Sequence, residues 1–273
     1  SSLFPPPVEE AEDHTLGGVR CRVLLPEGPV QGVYLHFHGG GMAIGTPDLN
    51  DAENLALCRR FDIAVVSVDY RLAPENPYPA GLDDAEAVAR WLIGNAGAEL
   101  GSDRLLIGGE SAGGYLAVTT LLRARDRLGA VDRFIGATLV AGVFDWGGSP
   151  SQRGIRPHEG PDWLEPAAMR FYADLVLPGM TQEERRDPAV SPGFADLRGL
   201  PPAIMTVGTI DHMLDDTLLL ASRWEVAGGP VELAVYPDCG HGFLWFAPSE
   251  LADRARQRID AFFAARLAAT GGR

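Results

Sequence analysis

Short apolar runs recur along the chain, and amphipathic stretches separate them. The runs are rich in Val, Ile, Leu and Ala, and most lack polar alternation, which is typical of strands buried on both faces. They are predicted to form β-strands at Val33–His38, Ile63–Val68, Leu105–Ile107, Ala137–Ala141, Ala203–Val207 and Val231–Tyr236. The last run alternates more strongly and is predicted to lie nearer an edge of the sheet.

Helical spacing appears between these runs. One predicted helix collects apolar residues at i, i+3, i+4 and i+7 on a single face, namely Ala85, Val88, Ala89 and Leu92. Residues 251–263 show similar spacing, and Leu116–Arg127 forms a third pattern with basic residues near its end. This alternation predicts an α/β fold with a mostly parallel central sheet and helices on both faces.

The stretch from residue 144 to residue 191 interrupts the alternation. It is rich in Gly, Pro and charge, yet it holds large aromatic residues, namely Trp146, Trp163, Phe171 and Tyr172. Long connections are often lids, and exposed Trp residues are uncommon without a partner surface, so we favour a cap over a surface excursion without a role. We expect one domain over residues 1–273, with a cap inserted at about 144–191.

Charge excludes several classes of partner and chemistry. The 273 residues carry a net charge of −14, which argues against nucleic-acid partners and anionic membranes. All 23 basic residues are Arg. A chain without Lys has no Schiff-base Lys, no phosphate-loop Lys and no Ser-Lys nucleophile pair.

Three separated cysteines, Cys21, Cys58 and Cys239, predict buried free thiols. Their number and spacing exclude a disulfide framework or a CxxC metal site, and they suit a reducing, cytoplasmic compartment. The N-terminus does not resemble a signal peptide, and no apolar window approaches the roughly 18 residues of a membrane span. Oligomeric state is open, with a homodimer among the alternatives.

The pentapeptide Gly109-Glu110-Ser111-Ala112-Gly113 matches G-x-S-x-G and lies between a predicted strand and a predicted helix. This setting is that of a nucleophile elbow, in which small neighbours let the chain reverse and expose the Ser hydroxyl. The alternative is an ordinary Gly-rich helix cap. We favour the nucleophile because the strand and the helix are both in place.

Three glycines follow His38 at the end of an earlier strand. Two of their amides, with the amide of Ala112, could hold an oxyanion. A flexible turn or a phosphate cradle is the alternative, although a phosphate loop would normally include a Lys. His38 itself is predicted to brace this loop.

A Ser nucleophile needs a base, and the base needs an orienting carboxylate. His241 and Asp211 follow the last two predicted strands, which gives the order Ser, Asp, His expected of an α/β-hydrolase. The rival carboxylates are Asp215, Asp216 and Asp238. Substrate-contact candidates are apolar or aromatic residues near these motifs: Met42, Phe144, Trp146, Trp163, Phe171, Met213 and Trp245.

Together these motifs resemble the hormone-sensitive-lipase-like branch of the α/β-hydrolase fold, also called bacterial esterase family IV. The matching segments are His38–Gly41, Asp69–Glu75, Pro79-Ala80, Gly109–Gly114, Asp187-Pro188, Ser191-Pro192, Leu200–Pro202, Gly208–Asp211 and His241–Phe243. They run in family order over most of the chain.

The resemblance implies a catalytic triad of Ser111, Asp211 and His241. It implies an oxyanion hole from the amides of Gly39, Gly40 and Ala112. It also implies hydrolysis of small carboxylic esters with short or medium acyl chains, without metal or organic cofactor.

This sequence departs from the family pattern in three places. The region before the oxyanion strand is short, which predicts a reduced cap. Glu110 replaces a common Asp, and Tyr115 replaces a frequent Asn. The same triad also serves amide or formamide hydrolysis and acyl transfer, so these stay open, as does a non-catalytic small-molecule-binding relative.

Overall fold

A computed structural model describes residues 6–155, 164–246 and 249–269. Within them one sheet of eight strands runs in the order β1-β2-β4-β3-β5-β6-β7-β8. Strands β1 and β2 are antiparallel to their neighbours, and β3 to β8 are parallel to one another. The strands are β1 Glu12–Leu16, β2 Val19–Leu24, β3 Gly32–Phe37, β4 Ile63–Val68, β5 Leu105–Glu110, β6 Phe134–Val140, β7 Ala203–Gly208 and β8 Val231–Tyr236.

The α-helices of the described chain are α1 Asp51–Phe61, α2 Ala80–Glu99, α3 Ala112–Asp126, α4 Pro166–Val176, α5 Leu214–Val226, α6 Phe243–Phe246 and α7 Glu250–Ala268. Short 3₁₀ turns occur at Pro47–Asn50, Val131–Arg133, Ser151–Arg153, Glu184–Arg186 and Pro192–Phe194. The predicted strands and helices are all present; β4 and β8 have the predicted bounds, and the ends of the others are shifted.

Apolar composition explains why the central strands lie where they do. Every residue of β3, β4 and β7 is buried, as expected for parallel strands covered on both faces. Strand β8 alternates between buried and more exposed residues and forms the last strand of the sheet, which confirms its predicted edge position.

Helices cover both faces of the sheet. One core includes side chains of α2, α3 and α5, while Cys58 of α1 and Phe263 of α7 pack in a second core with Tyr34 and Leu106. This arrangement confirms the predicted α/β class. The antiparallel strands β1 and β2 were not predicted, although Val19–Val23 does alternate apolar and basic residues.

The connection between β6 and β7 contains α4 and several 3₁₀ turns. Residues 156–163, which include Trp163, lie outside the described residues. Among the helices described, none combines the length and apolarity that crossing a bilayer requires.

Candidate active site

Ser111 occupies a strained turn between β5 and α3. Its backbone has φ of 54° and ψ of −118°, a conformation that L-residues rarely adopt. Gly109 and Gly113 make the turn feasible, because a Cβ atom on either would collide with the carbonyl oxygen of Phe37. The sequence therefore folds here into the predicted elbow, with the Ser111 side chain partly exposed.

His241 and Asp211 form a buried pair at the same edge of the sheet. Nδ1 of His241 lies 3.0 Å and 3.1 Å from the two carboxylate oxygens of Asp211. Asp211 is fully buried, and its carboxylate also accepts a hydrogen bond of 2.8 Å from the amide of Met213. A carboxylate held in this way keeps the Nδ1 proton and directs Nε2 away from itself.

The sheet topology explains why three residues so distant in sequence lie at the same edge of the sheet. Ser111 follows β5, Asp211 follows β7 and His241 follows β8. These strands are parallel, so their carboxyl ends lie at one edge of the sheet, where ligands of open α/β sheets bind.

Two of the three rival carboxylates have other partners. Asp215 accepts a hydrogen bond from the amide of Ser151, at 2.8 Å, and Asp216 accepts several from residues 144–152. Asp238 is exposed. Only Asp211 among the four contacts the His241 ring in the described chain.

The amides of the glycine loop differ in what they contact. The Gly39 amide donates to Oε1 of Glu110 at 3.2 Å, although the sequence suggested it as an oxyanion donor. Within the described residues, the amides of Gly40 and Gly41 donate to no protein acceptor. Ala112 is the first residue of α3, where amides have no partner inside the helix.

His38 braces this loop from below. Its ring stacks on Tyr70 with centroids 4.3 Å apart, and Nδ1 donates to the Gly39 carbonyl at 2.6 Å. The Tyr70 hydroxyl donates to the His38 carbonyl at 2.8 Å. Burial lowers the pKa of His38 to about 4, so this ring is neutral and structural.

A cavity of about 520 Å³ opens in front of Ser111 and His241. Apolar side chains supply one part of its wall, and several of them, Trp146, Leu164, Met169 and Tyr172, come from the connection between β6 and β7. The Tyr172 ring lies over the glycine loop, where a Cβ atom on Gly41 would be 2.6 Å from it. The segment predicted as a cap thus contributes directly to the cavity wall.

Of the predicted substrate contacts, Trp146 and Trp245 line this cavity. Met42, Phe144 and Met213 are buried and do not line it. Phe171 is 59% exposed on α4, whereas its neighbour Tyr172 faces the cavity. The sequence alone does not fix how α4 is rotated about its axis, and this rotation decides which aromatic residue points into the cavity.

Other lining residues were missed altogether. Asn50 and Glu53, at the start of α1, line the cavity together with Leu49 and Thr46. The polar 3₁₀ turn and the Asp-Ala-Glu start of α1 resemble an ordinary solvated helix start, so the sequence alone gave no signal here.

Comparisons with known proteins place the chain in a family. A family profile described as the alpha/beta hydrolase fold matches residues 34–245. The chain belongs to the α/β-hydrolase family, in its hormone-sensitive-lipase-like esterase branch. It is 35% identical over 223 residues to carboxylesterase NlhH of Mycobacterium tuberculosis, covering 79% of this chain and 67% of that protein.

Other relatives of this α/β-hydrolase are also named as hydrolases or esterases. An acetyl-hydrolase of Streptomyces hygroscopicus is 32% identical over 246 residues, covering 87% of this chain and 76% of that protein. The solved esterase of Pyrobaculum calidifontis superposes with a TM-score of 0.86 at 30% identity, covering 96% of this chain and 87% of that one. This protein is accordingly an enzyme of the carboxylesterase class.

Proposed function

We propose that this carboxylesterase hydrolyses small esters with short or medium acyl chains through a Ser111–His241–Asp211 triad and an acyl-enzyme intermediate. The observation that carries the proposal is the buried His241–Asp211 pair, because His241 lines the same cavity as Ser111. The names of relatives, among them an acetyl-hydrolase and an acetyl esterase, support a short acyl group.

The first half of the reaction forms the acyl-enzyme. Nε2 of His241 accepts the hydroxyl proton as Oγ of Ser111 attacks the ester carbonyl carbon. The C=O electron pair moves onto oxygen, and its collapse expels the alcohol, which takes the proton from His241. Asp211 stabilises the imidazolium that exists between these steps.

The oxyanion is assigned to the amides of Gly40, Gly41 and Ala112. This assignment replaces Gly39, whose amide donates to Glu110. Each such donor is worth about 2.7–4 kcal/mol in other hydrolases. Water then attacks the acyl-enzyme by the same route, with His241 as base, and releases the carboxylic acid and free Ser111.

The segment after β6 is proposed to act as the cap of this site. Its residues Trp146, Leu164, Met169 and Tyr172 supply apolar wall, and an apolar wall suits an acyl chain. The relatives named as esterases favour ester hydrolysis over amide hydrolysis or acyl transfer.

The test is Ser111→Ala assayed with p-nitrophenyl butyrate. We expect kcat/KM to fall by about 10³-fold or more, because only the nucleophile can form the acyl-enzyme. Ser222→Ala, an exposed Ser on α5, is the matched control and should leave the rate unchanged. Labelling by a fluorophosphonate should require Ser111. A folded Ser111→Ala variant with wild-type activity would refute the proposal.

A further inference from the structure

One end of the active-site cavity is polar and negatively charged. Asn50, Glu53, Glu110 and Trp245 form this end, and the same four residues also line a second cavity of about 160 Å³. The described residues that line the active-site cavity include two carboxylates, Glu53 and Glu110, and no Arg. The chain has no Lys to supply a cation there.

Glu110 has its position fixed by the scaffold. It accepts hydrogen bonds of 3.2 Å from the Gly39 amide and from Nε2 of His36. Nδ1 of His36 lies 2.9 Å from the Ser67 hydroxyl and 3.3 Å from the Asn54 side-chain amide, so the ring that contacts Glu110 is itself held in place. These contacts hold the Glu110 carboxylate at the cavity wall, which it also lines.

Glu53 is half-buried, and within the described chain no other residue hydrogen-bonds to its carboxylate or forms an ion pair with it. Arg256, which lines the second cavity, is paired with Asp253 at 2.9 Å and also donates to the Leu244 carbonyl. Desolvation raises the pKa of Glu53 and the negative charge of Glu110 also raises it, whereas the hydrogen bond from its own amide and the charges of Arg256 and His36 lower it. A cation bound in the cavity would favour the ionised Glu53 carboxylate by direct attraction.

Aromatic side chains accompany these carboxylates. Trp245 lies at the polar end, and Trp146 and Tyr172 contribute to the same cavity. Aromatic faces attract ammonium groups, most strongly when the cation is partly desolvated. Methylated ammonium ions suit this setting because their methyl groups tolerate an apolar wall.

We propose that Glu53 is a specificity-determining residue that selects esters bearing a positively charged ammonium group in their acyl or alcohol part. The inference rests on the proposed function of Ser111 and names the substrate class of that site. Anionic esters would be disfavoured, since the carboxylates repel them and no Arg is among the described residues that line the cavity.

The test compares esters that differ only in charge. Acetylcholine and its neutral isostere 3,3-dimethylbutyl acetate place the charge in the alcohol. The p-nitrophenyl esters of 4-(trimethylammonio)butanoate and of 5,5-dimethylhexanoate place it in the acyl group. In at least one pair, kcat/KM should favour the cationic ester by about fivefold or more, the effect of one partly exposed charge pair.

Variants of Glu53 decide whether this residue causes the preference. Glu53→Gln should lower the cationic-to-neutral ratio of kcat/KM about fivefold, and Glu53→Asp should retain most of it. Asp48→Asn removes a charge from the 3₁₀ turn just before α1 that does not line the cavity. This control should change neither the ratio nor the hydrolysis of the neutral esters.

The inference is overturned if neither pair shows a cationic preference, or if Glu53→Gln leaves the ratio unchanged. Ser111-dependent hydrolysis of the neutral esters would then still stand, and with it the proposed function. If the neutral esters are not hydrolysed in a Ser111-dependent manner, both the proposed function and this inference fail.

Discussion

At the scale of single residues, the proposed chemistry depends on where buried charge is placed. Asp211 is fully buried, yet its carboxylate has the His241 ring and the Met213 amide as partners. Burying a carboxylate is costly unless hydrogen bonds replace its water. The exposed Asp238, three residues before His241, has no comparable burial.

Asp211→Asn should lower kcat by about 10²–10⁴-fold, because an amide no longer holds the Nδ1 proton or stabilises the imidazolium. The measurement is steady-state hydrolysis of p-nitrophenyl butyrate, with circular dichroism to show that the variant folds. Asp238→Asn is the matched control and should retain activity. A large loss in Asp238→Asn with none in Asp211→Asn would reassign the acid.

At the scale of elements, the first turn of α5 anchors the chain that leaves β6. The Asp216 carboxylate accepts hydrogen bonds from the amides of Phe144 and Asp145, at 2.7 Å and 2.8 Å. The Ser149 hydroxyl and the Gln152 side-chain amide donate to it at 2.6 Å and 2.9 Å. The first turn of α5 therefore fixes the segment that leads to Trp146 on the cavity wall.

Asp216 also makes stability depend on pH. Burial raises its pKa to about 7, against the opposing effect of the hydrogen bonds it accepts. The unfolded carboxyl titrates near 3.8, so between these values the folded state holds a proton that the unfolded state has released. The contribution of Asp216 to the free energy of unfolding is therefore fully present below the pKa of the unfolded carboxyl. It is lost as the pH rises through the pKa of the folded one.

We expect this group to lower the free energy of unfolding by about 2 kcal/mol between pH 5 and pH 7.5. Urea unfolding of wild type and Asp216→Asn at both pH values measures the difference. The variant should lack this decline, and contributions from other groups, such as His38, cancel in the comparison. Equal pH dependence in the two proteins would contradict the expectation.

At the scale of the whole molecule, the two cores enclose all three cysteines. Burial raises the pKa of the Cys21 thiol to about 12 and that of Cys58 to about 11. The pKa of Cys239 is also raised by burial. A thiol reacts as its thiolate, so native packing should suppress reactivity at every cysteine.

Native protein at pH 8 should therefore react slowly with 5,5′-dithiobis(2-nitrobenzoate), whereas all three thiols should react at once in guanidinium chloride. The denatured sample serves as the control for free thiol. Fast reaction of one thiol in the native protein would show that a core opens locally. Mass spectrometry of the labelled peptide would identify which one.

Local sequence determined the elements and the motifs of this protein. Apolar runs and helical spacing depend on periodicity along the chain, so β3 to β8, α2, α3 and α7 were predictable. The elbow around Ser111 was predictable because the need for small residues in a tight turn is itself local. Strand β1 was missed since four of its five residues are exposed and carry no apolar alternation.

Tertiary structure decided what the sequence left open. Which of four Asp residues meets His241, which glycine amide is taken by Glu110, and which aromatic side chain of α4 faces the cavity all depend on strand order and helix rotation. Glu53 joins the cavity wall only because α1 packs against β4, which lies two strands away from β5 and the turn that carries Ser111. Such contacts join residues far apart in the chain, and no local pattern records them.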